Sequence, residues 1–297
     1  MERFDVIVIG QGYAGLTAAR WATSRGMRTA NFEANCMGGL ILSINELDPV
    51  PAGSEHSGAE LSSALAMSND EQGVVAVSDT VTALEGSAGH WVVRTAGQSY
   101  GATHVVIASG ARLRKLGVPG EAEYFGAGVS ECADCDGPLY KGAETVVVGG
   151  GDSAFQEALA LSRYASKVTL IMRGAGPRAR AELRQKAATN EKLVQLTQTR
   201  VLEVLGVEGK GVEGVRVAAQ GQGDQVLPCA GVFVFIGVQP NTQFLPADLP
   251  RDAQGALVTS ELAVAPGLWA IGAARSGFGG LLTDAADDAQ RAIAALS

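Results

Sequence analysis

Apolar positions along this chain fall into a recurring arrangement. Val6-Ile7-Val8-Ile9 and Val146-Val147-Val148 are short unbroken apolar runs, the pattern of short apolar strands. Each run enters a glycine-rich turn: Gly10-Gln11-Gly12-Tyr13-Ala14-Gly15 in one case, Gly149-Gly150-Gly151-Asp152-Ser153-Ala154 in the other. Helical spacing follows over 16–24 and 155–164, and then a second apolar strand over 28–33 and 167–173. These are two βαβ openings, each with the pattern G-x-G-x-x-G/A. Further strands are predicted over 73–77, 90–95, 104–108, 201–205, 212–218 and 231–236. Helices are predicted over 59–67, 178–188 and 281–296.

Mixed strands and helices with two such openings predict an α/β chain of two Rossmann-like, three-layer nucleotide-binding domains. The last helix lies far in sequence from the second opening, so the first domain is predicted to be split, with the second inserted into it. The expected bounds are 1–115 with 243–297, and 116–242, next to Pro119 and Pro240. A length of 297 residues suits two domains. Glycine is in excess, at 39 residues, without a collagen period, which points to tight turns and close backbone approaches. The net charge of −8 argues against non-specific nucleic-acid or anionic-membrane binding. No apolar stretch reaches the length of a membrane span, and the N-terminus lacks a signal-peptide pattern, so a cytoplasmic protein is expected.

In each opening the first glycine permits the tight turn, the second lets backbone approach a pyrophosphate, and the third position packs helix on strand. The phosphate then meets a helix N-terminus. Glu33 ends the second strand of the first opening, where a carboxylate accepts hydrogen bonds from an adenosine ribose and repels a 2′-phosphate; this suits FAD or NAD. The second opening has no such acid. Its strand ends in Arg173, with Arg178 shortly after, and two guanidiniums suit the 2′-phosphate of NADPH.

Cys132 and Cys135 form a C-x-x-C, while Cys36 and Cys229 stand alone. Zinc needs four ligands, and none of the three histidines lies near the pair, so no metal is expected. An inert pair gains nothing from this spacing. A reversible disulfide is the favoured reading. Asp134, between the two cysteines, is expected to raise a thiol pKa.

With these residues the chain resembles the low-molecular-weight thioredoxin reductases, FAD-dependent pyridine nucleotide-disulfide oxidoreductases, over nearly its whole length. The resemblance rests on the two glycine turns, Gly38-Gly39, Ala108-Ser109-Gly110, Cys132-Ala133-Asp134-Cys135-Asp136-Gly137 and Ile236-Gly237-Val238-Gln239-Pro240-Asn241-Thr242. It implies a homodimer in which NADPH reduces FAD and FAD reduces the Cys132–Cys135 disulfide. It places Cys135 toward the flavin, Cys132 as the attacker of a substrate disulfide, and Asp136 as the proton donor or acceptor. The implied cofactor residues are Gly10, Gly12, Tyr13, Ala14, Gly15, Glu33, Gly38, Gly39, Ala108, Ser109, Gly110, Gly272, Ala273, Gly280 and Leu281 for FAD. For NADPH they are Gly149, Gly151, Asp152, Ser153, Ala154, Arg173 and Arg178. The implied partner is a thioredoxin-like protein or a small-molecule disulfide or dithiol.

Several positions depart from the family pattern. Its flavin-binding Gly-Asp reads Gly272-Ala273, its Arg-Gln before the last helix reads Gly279-Gly280, and an Asn beside the ring reads Pro49. Its His-Arg-Arg reads Met172-Arg173-Gly174. These departures keep alternatives in view: a dithiol oxidase passing electrons from a small-molecule dithiol to oxygen, or a related enzyme with a different electron donor.

Overall fold

The structure, a computed structural model, describes residues 1–47 and 56–296. Its contacts divide the chain into two compact units, Met1–Arg112 with Gln239–Ser297, and Leu113–Val238. In chain order the first unit begins with β1 (Glu2–Ile9), α1 (Tyr13–Ser24), β2 (Thr29–Glu33), α2 (Gly58–Glu71) and β3 (Val75–Ser78). The hairpin β4 (Ala83–Ser87) and β5 (His90–Arg94), then β6 (Ser99–Ile107) and the short β7 (Ala111–Leu113) follow.

The second unit contains β8 (Val129–Ser130), α3 (Ala133–Asp136), β9 (Glu144–Val148), α4 (Asp152–Leu161), β10 (Lys167–Ile171) and α5 (Ala181–Ala188). It continues with β11 (Leu193–Leu196), β12 (Thr199–Val207), β13 (Gly211–Ala219), β14 (Asp224–Pro228) and β15 (Gly231–Val234). After β16 (Val238–Pro240), the chain adds β17 (Ala263–Ala265), β18 (Leu268–Ala270) and α6 (Leu282–Ala294) to the first unit.

The main sheet of the first unit runs β17-β18-β6-β1-β2-β3, with the β4–β5 hairpin joined to β6. β1 pairs in parallel with both β2 and β6, Ile9 standing opposite Phe32 and Ile107. Its apolar run divides between two cores. Ile7 and Ile9 join Phe4, Phe32 and Ile107 on one face, while Val6 and Val8 meet the alanines of α1 and α6 on the other. Each such side chain, fully buried, contributes about 1.5–3 kcal/mol. Alanines at 18, 19 and 22 of α1 and at 289 and 292 of α6 let both helices lie close to the sheet.

The second unit repeats this plan. Its parallel sheet runs β11-β10-β9-β15-β8. Val147 faces Phe155, Ala158 and Leu161 of α4, whereas Val146 and Val148 face the antiparallel β12-β13-β14 sheet through Val201, Val204, Val215 and Val217. The result is a central sheet with helices on one side and a second sheet on the other. Mixed α/β architecture with parallel sheets therefore holds in both units.

Two local expectations change. The helix predicted over 178–188 starts at Ala181, because the N–H groups of Arg178 and Ala179 donate to the carbonyl of Gly150 and that of Arg180 donates to the Asp152 carboxylate. Those three residues are spent on docking the loop, not on a helical turn. The cysteine pair lies at a short helix, α3, which the spacing did not predict. Among the described residues no helix is long and apolar enough to cross a membrane.

Candidate functional site: two glycine turns and a cysteine pair

The first turn gathers residues from across the first unit. Gly10 has φ +109, and a Cβ there would overlap the carbonyl of Ala108, so only glycine lets the end of β1 pass so close to the end of β6. A Cβ on Gly15 would overlap the carbonyl of Gly10, which fixes this position as the helix-on-strand contact. Gly12 differs: a Cβ there would meet only the Gly38 carbonyl, at 3.9 Å. It caps α1 without a side-chain hydrogen bond, so the start of the helix is left for an external anion. Tyr13 and Ala14 open α1.

Three further segments converge on this turn. The Gly38 N–H donates to the Gln11 carbonyl at 2.7 Å, bringing Gly38 and Gly39 beside it. Glu33 accepts from the backbone N–H groups of Gln11, Ala34 and Asn35 at 2.9–3.0 Å, which aims its carboxylate along the same edge. Ser109 and Gly110, following β6, are tied to Asn241: the Ser109 hydroxyl donates to its carbonyl at 2.6 Å and its N–H donates to Gly110 at 2.9 Å. Gly272 lies against Ala14, where an added Cβ would come within 3.1 Å. Open backbone at a helix start, flanked by the Glu33 carboxylate, fits the pyrophosphate and adenosine of FAD.

Where the family carries an acid, Ala273 brings none, and the turn is held from the opposite side. Asp288 of α6, its side chain 2% exposed, accepts the Gly272 N–H at 2.9 Å and takes the Arg275 guanidinium in a fork at 2.7 and 2.8 Å. Gly280 and Leu281 stand at the start of α6. A Cβ on neighbouring exposed Gly279 would meet the Asp284 carboxylate, which would have to turn aside to admit a side chain. Pro49 lies outside the described residues.

In the second unit, Gly149 has φ +149 and a Cβ on it would overlap the carbonyl of Phe235, while Gly151 faces open space. Gly151 caps α4, again with no side-chain hydrogen bond, and Asp152, Ser153 and Ala154 form the first turn. Docking of the next loop on Gly150 brings Arg178 to this turn. Arg173 lines a cavity of about 250 Å³ with Gln198, Arg200, Ala218, Ala219 and Gln220. Arg178 is not among those lining residues. Arg200 enters because the start of β12 docks on the end of β10: Gln198 and Thr199 N–H groups donate to the carbonyls of Gly174 and Met172. Gln198 holds φ +49, a conformation uncommon for a side chain of its size. The pair of guanidiniums at this cavity fits a phosphate ester. The sequence signal for Arg200 is a basic residue at the head of a strand, uninformative until β12 is placed beside β10.

Cys132 and Cys135 form a disulfide with Cα atoms 5.3 Å apart. Cys132 is the N-cap of α3 and is partly buried, and Cys135, one turn on, is exposed. The Cys135 N–H donates to the Cys132 sulfur at 3.1 Å, and the Ser130 hydroxyl accepts the Cys132 N–H at 3.1 Å. Asp136 ends the same helix, its N–H donating to the Cys132 carbonyl at 3.2 Å. Beside it lies a residue that no sequence motif marks. Glu157 of α4 accepts the Ala133 N–H at 2.8 Å, and burial pushes its carboxyl up to about 7 against the pull of that bond, with Asp134 adding to the rise. Cys229 is a contrast: burial pushes its thiol up to about 12, which leaves it unreactive. Among the described residues no group of three or more His, Cys, Asp or Glu could hold a metal ion.

Comparison with known proteins gives the same reading. The pyridine nucleotide-disulphide oxidoreductase family model matches residues 4–295. Thioredoxin reductase of Listeria innocua is 37% identical over 279 residues, covering 92% of this chain and 86% of the relative. Thioredoxin reductase of Treponema pallidum is 35% identical over 299 residues, covering 99% and 96%. The crystal structure of Lactococcus lactis thioredoxin reductase superposes with a TM-score of 0.90 at 32% identity, covering 99% of this chain and 97% of that one. This chain thus belongs to the pyridine nucleotide-disulphide oxidoreductases, and with that membership come FAD, NADPH and flavin-dependent reduction of a disulfide.

Proposed function

We infer that the enzyme passes electrons from NADPH through FAD to the Cys132–Cys135 disulfide and on to thioredoxin or a similar disulfide-bearing protein. The observation that carries this reading is the disulfide itself, at the start of a short helix in the unit that also holds the second glycine turn. FAD is assigned to Gly10, Gly12, Gly15, Glu33, Gly38 and Ser109, with Gly272 and the Asp288-held turn closing the cradle. NADPH is assigned to Gly149, Gly151 and the Arg173–Arg200 cavity, where Arg200 takes the place of the arginine that Gly174 lacks. When bound, the flavin accepts a hydride equivalent and reduces a disulfide. Cys132, whose sulfur receives the Cys135 N–H, is the better stabilised thiolate and is assigned to attack the substrate disulfide. Asp136 is assigned to the proton transfers, one turn from Cys132. The enzyme is read as a cytoplasmic homodimer, on the strength of its likeness to the thioredoxin reductases.

Anaerobic addition of NADPH to the purified holoenzyme tests this assignment. It should bleach the flavin absorbance and expose two alkylatable thiols at Cys132 and Cys135, and Cys132→Ser should abolish thioredoxin reduction while leaving flavin bleaching intact. Arg200→Ala should raise KM for NADPH by about tenfold, the loss of one charge-assisted hydrogen bond, with little change for NADH. A flavin and disulfide that both stay oxidised under NADPH would exclude the reading.

A further inference from the structure

A half-buried carboxyl needs a reason, since taking it out of water ionised is costly unless a cation or several donors compensate. Glu157 is half-buried, three residues after the buried Ala154 and four before the buried Leu161 of α4. The buried core against which α4 packs includes Val147, Val168, Leu170, Leu183 and Ala187 from β9, β10 and α5. The charged group that faces it is Asp134 of α3, of like sign. Among the described residues it has no ion pair with a lysine or arginine. Its hydrogen bond goes to the Ala133 N–H, the residue directly after Cys132.

That N–H belongs to the set of backbone donors at the start of α3, where a thiolate on Cys132 would be stabilised. The donors are already distributed: Cys132 N–H to Ser130, Ala133 N–H to Glu157, Cys135 N–H to the Cys132 sulfur. An ionised Glu157 therefore works against thiolate formation by its charge, since it places a like charge one hydrogen bond from the residue after Cys132. A neutral Glu157 keeps the hydrogen bond through its carbonyl oxygen and removes the charge.

We propose that Glu157 is a positioning residue of the redox centre whose carboxyl gains a proton when the Cys132–Cys135 disulfide is reduced. Two electrons, supplied by NADPH through the flavin, break the S–S bond. One proton goes to a sulfur and one to Glu157, so a disulfide and a carboxylate become a thiolate, a thiol and a neutral acid. The step takes up two electrons and two protons, and the negative charge at the site is unchanged in number; it moves from carboxylate to sulfur. Acid and thiol titrate as a coupled pair. This rests on the reading of Cys132 and Cys135 as the redox pair.

The test uses holoenzyme reduced chemically with a small dithiol, so that it does not depend on NADPH. Wild type and Glu157→Gln are compared in the rate of iodoacetamide alkylation across pH. Glutamine keeps an acceptor for the Ala133 N–H and removes the charge. The two proteins should react at equal rates near neutral pH, where the reduced wild type holds the proton on Glu157, and the variant should be about three- to tenfold faster at an alkaline pH that removes that proton. A ratio that does not change with pH overturns the proposal, because a purely structural contact shifts the rate alike at every pH. Should the variant fail to fold, the reduced-minus-oxidised infrared spectrum of the wild type decides. A protonated-carboxyl band gained on reduction near neutral pH supports the proposal, and its absence overturns it. Failure of NADPH to reduce the wild-type pair would instead remove the functional reading, leaving the alkylation profile to judge Glu157.

Discussion

Single residues decide how this chain treats charge, and Glu157 also bears on stability. Its carboxyl is raised to about 7 in the folded protein, chiefly by burial, against 4.5 for an exposed glutamate. Between those two pH values the folded state holds a proton that the unfolded chain releases, so unfolding becomes easier as pH rises. The stabilisation is fully present below pH 4.5 and is lost as pH passes 7. The full difference is on the order of 3 kcal/mol. Glu157→Gln should therefore unfold at a higher temperature than wild type at pH 8 and near the wild-type temperature at about pH 5, read by scanning calorimetry. Unequal midpoints at the low pH alone would contradict the assignment. The glycines at 10, 12, 15, 149 and 151 and the two cysteines are legible from sequence, because backbone demands and thiol spacing are local. Glu157 and Arg200 are not, since each acquires its role from a partner more than twenty residues away: Ala133 for one, Arg173 for the other. An acid bordering an apolar helical stripe was the available signal.

At the scale of elements, α6 shows the same signal with a different resolution. Asp288 shares the buried stripe of Ala285, Ala289 and Ala292 and is matched by a cation, the forked Arg275, with the Gly272 N–H as a third donor. The helix is thereby fastened to the turn that meets Ala14, and the element holding the first glycine turn closed is a helix from the far end of the chain. Asp288→Ala leaves Arg275, only 16% exposed, without its partner, and should cost about 3–5 kcal/mol. The double variant Asp288→Leu with Arg275→Met removes both charges and should recover a large part of that loss. Chemical denaturation of the two variants and the wild type gives the comparison. Equal losses for single and double variants would mean that packing, not the unpaired charge, dominates. Helix and strand periodicity shows these elements to within a few residues. It misses α3, because four residues cannot display a helical period, and it starts α5 too early, because tertiary hydrogen bonds of residues 178–180 take precedence over local spacing.

Across the whole molecule, the distribution of cores sets what each stretch of chain can do by itself. The second unit is one continuous segment, Leu113–Val238, and both faces of its parallel sheet are covered from within that segment, by α4 on one side and by β12, β13 and β14 on the other. The first unit is different. Strand β6 takes β18 as its parallel neighbour, and the alanine face of α1 is covered by α6, so the segment Met1–Arg112 lacks part of its own sheet and a helix of its core. A separately expressed 113–238 segment should therefore unfold cooperatively and show dispersed amide resonances, and its reduced cysteines should keep the pH-dependent alkylation, since Ser130, Asp134 and Glu157 all lie within it. A 1–112 segment should show no cooperative transition until the 239–297 segment is supplied. Cooperative folding of 1–112 alone would show that β1, β2, β3 and β6 with α1 suffice without the returning chain, and α6 would then be a late addition to a finished core.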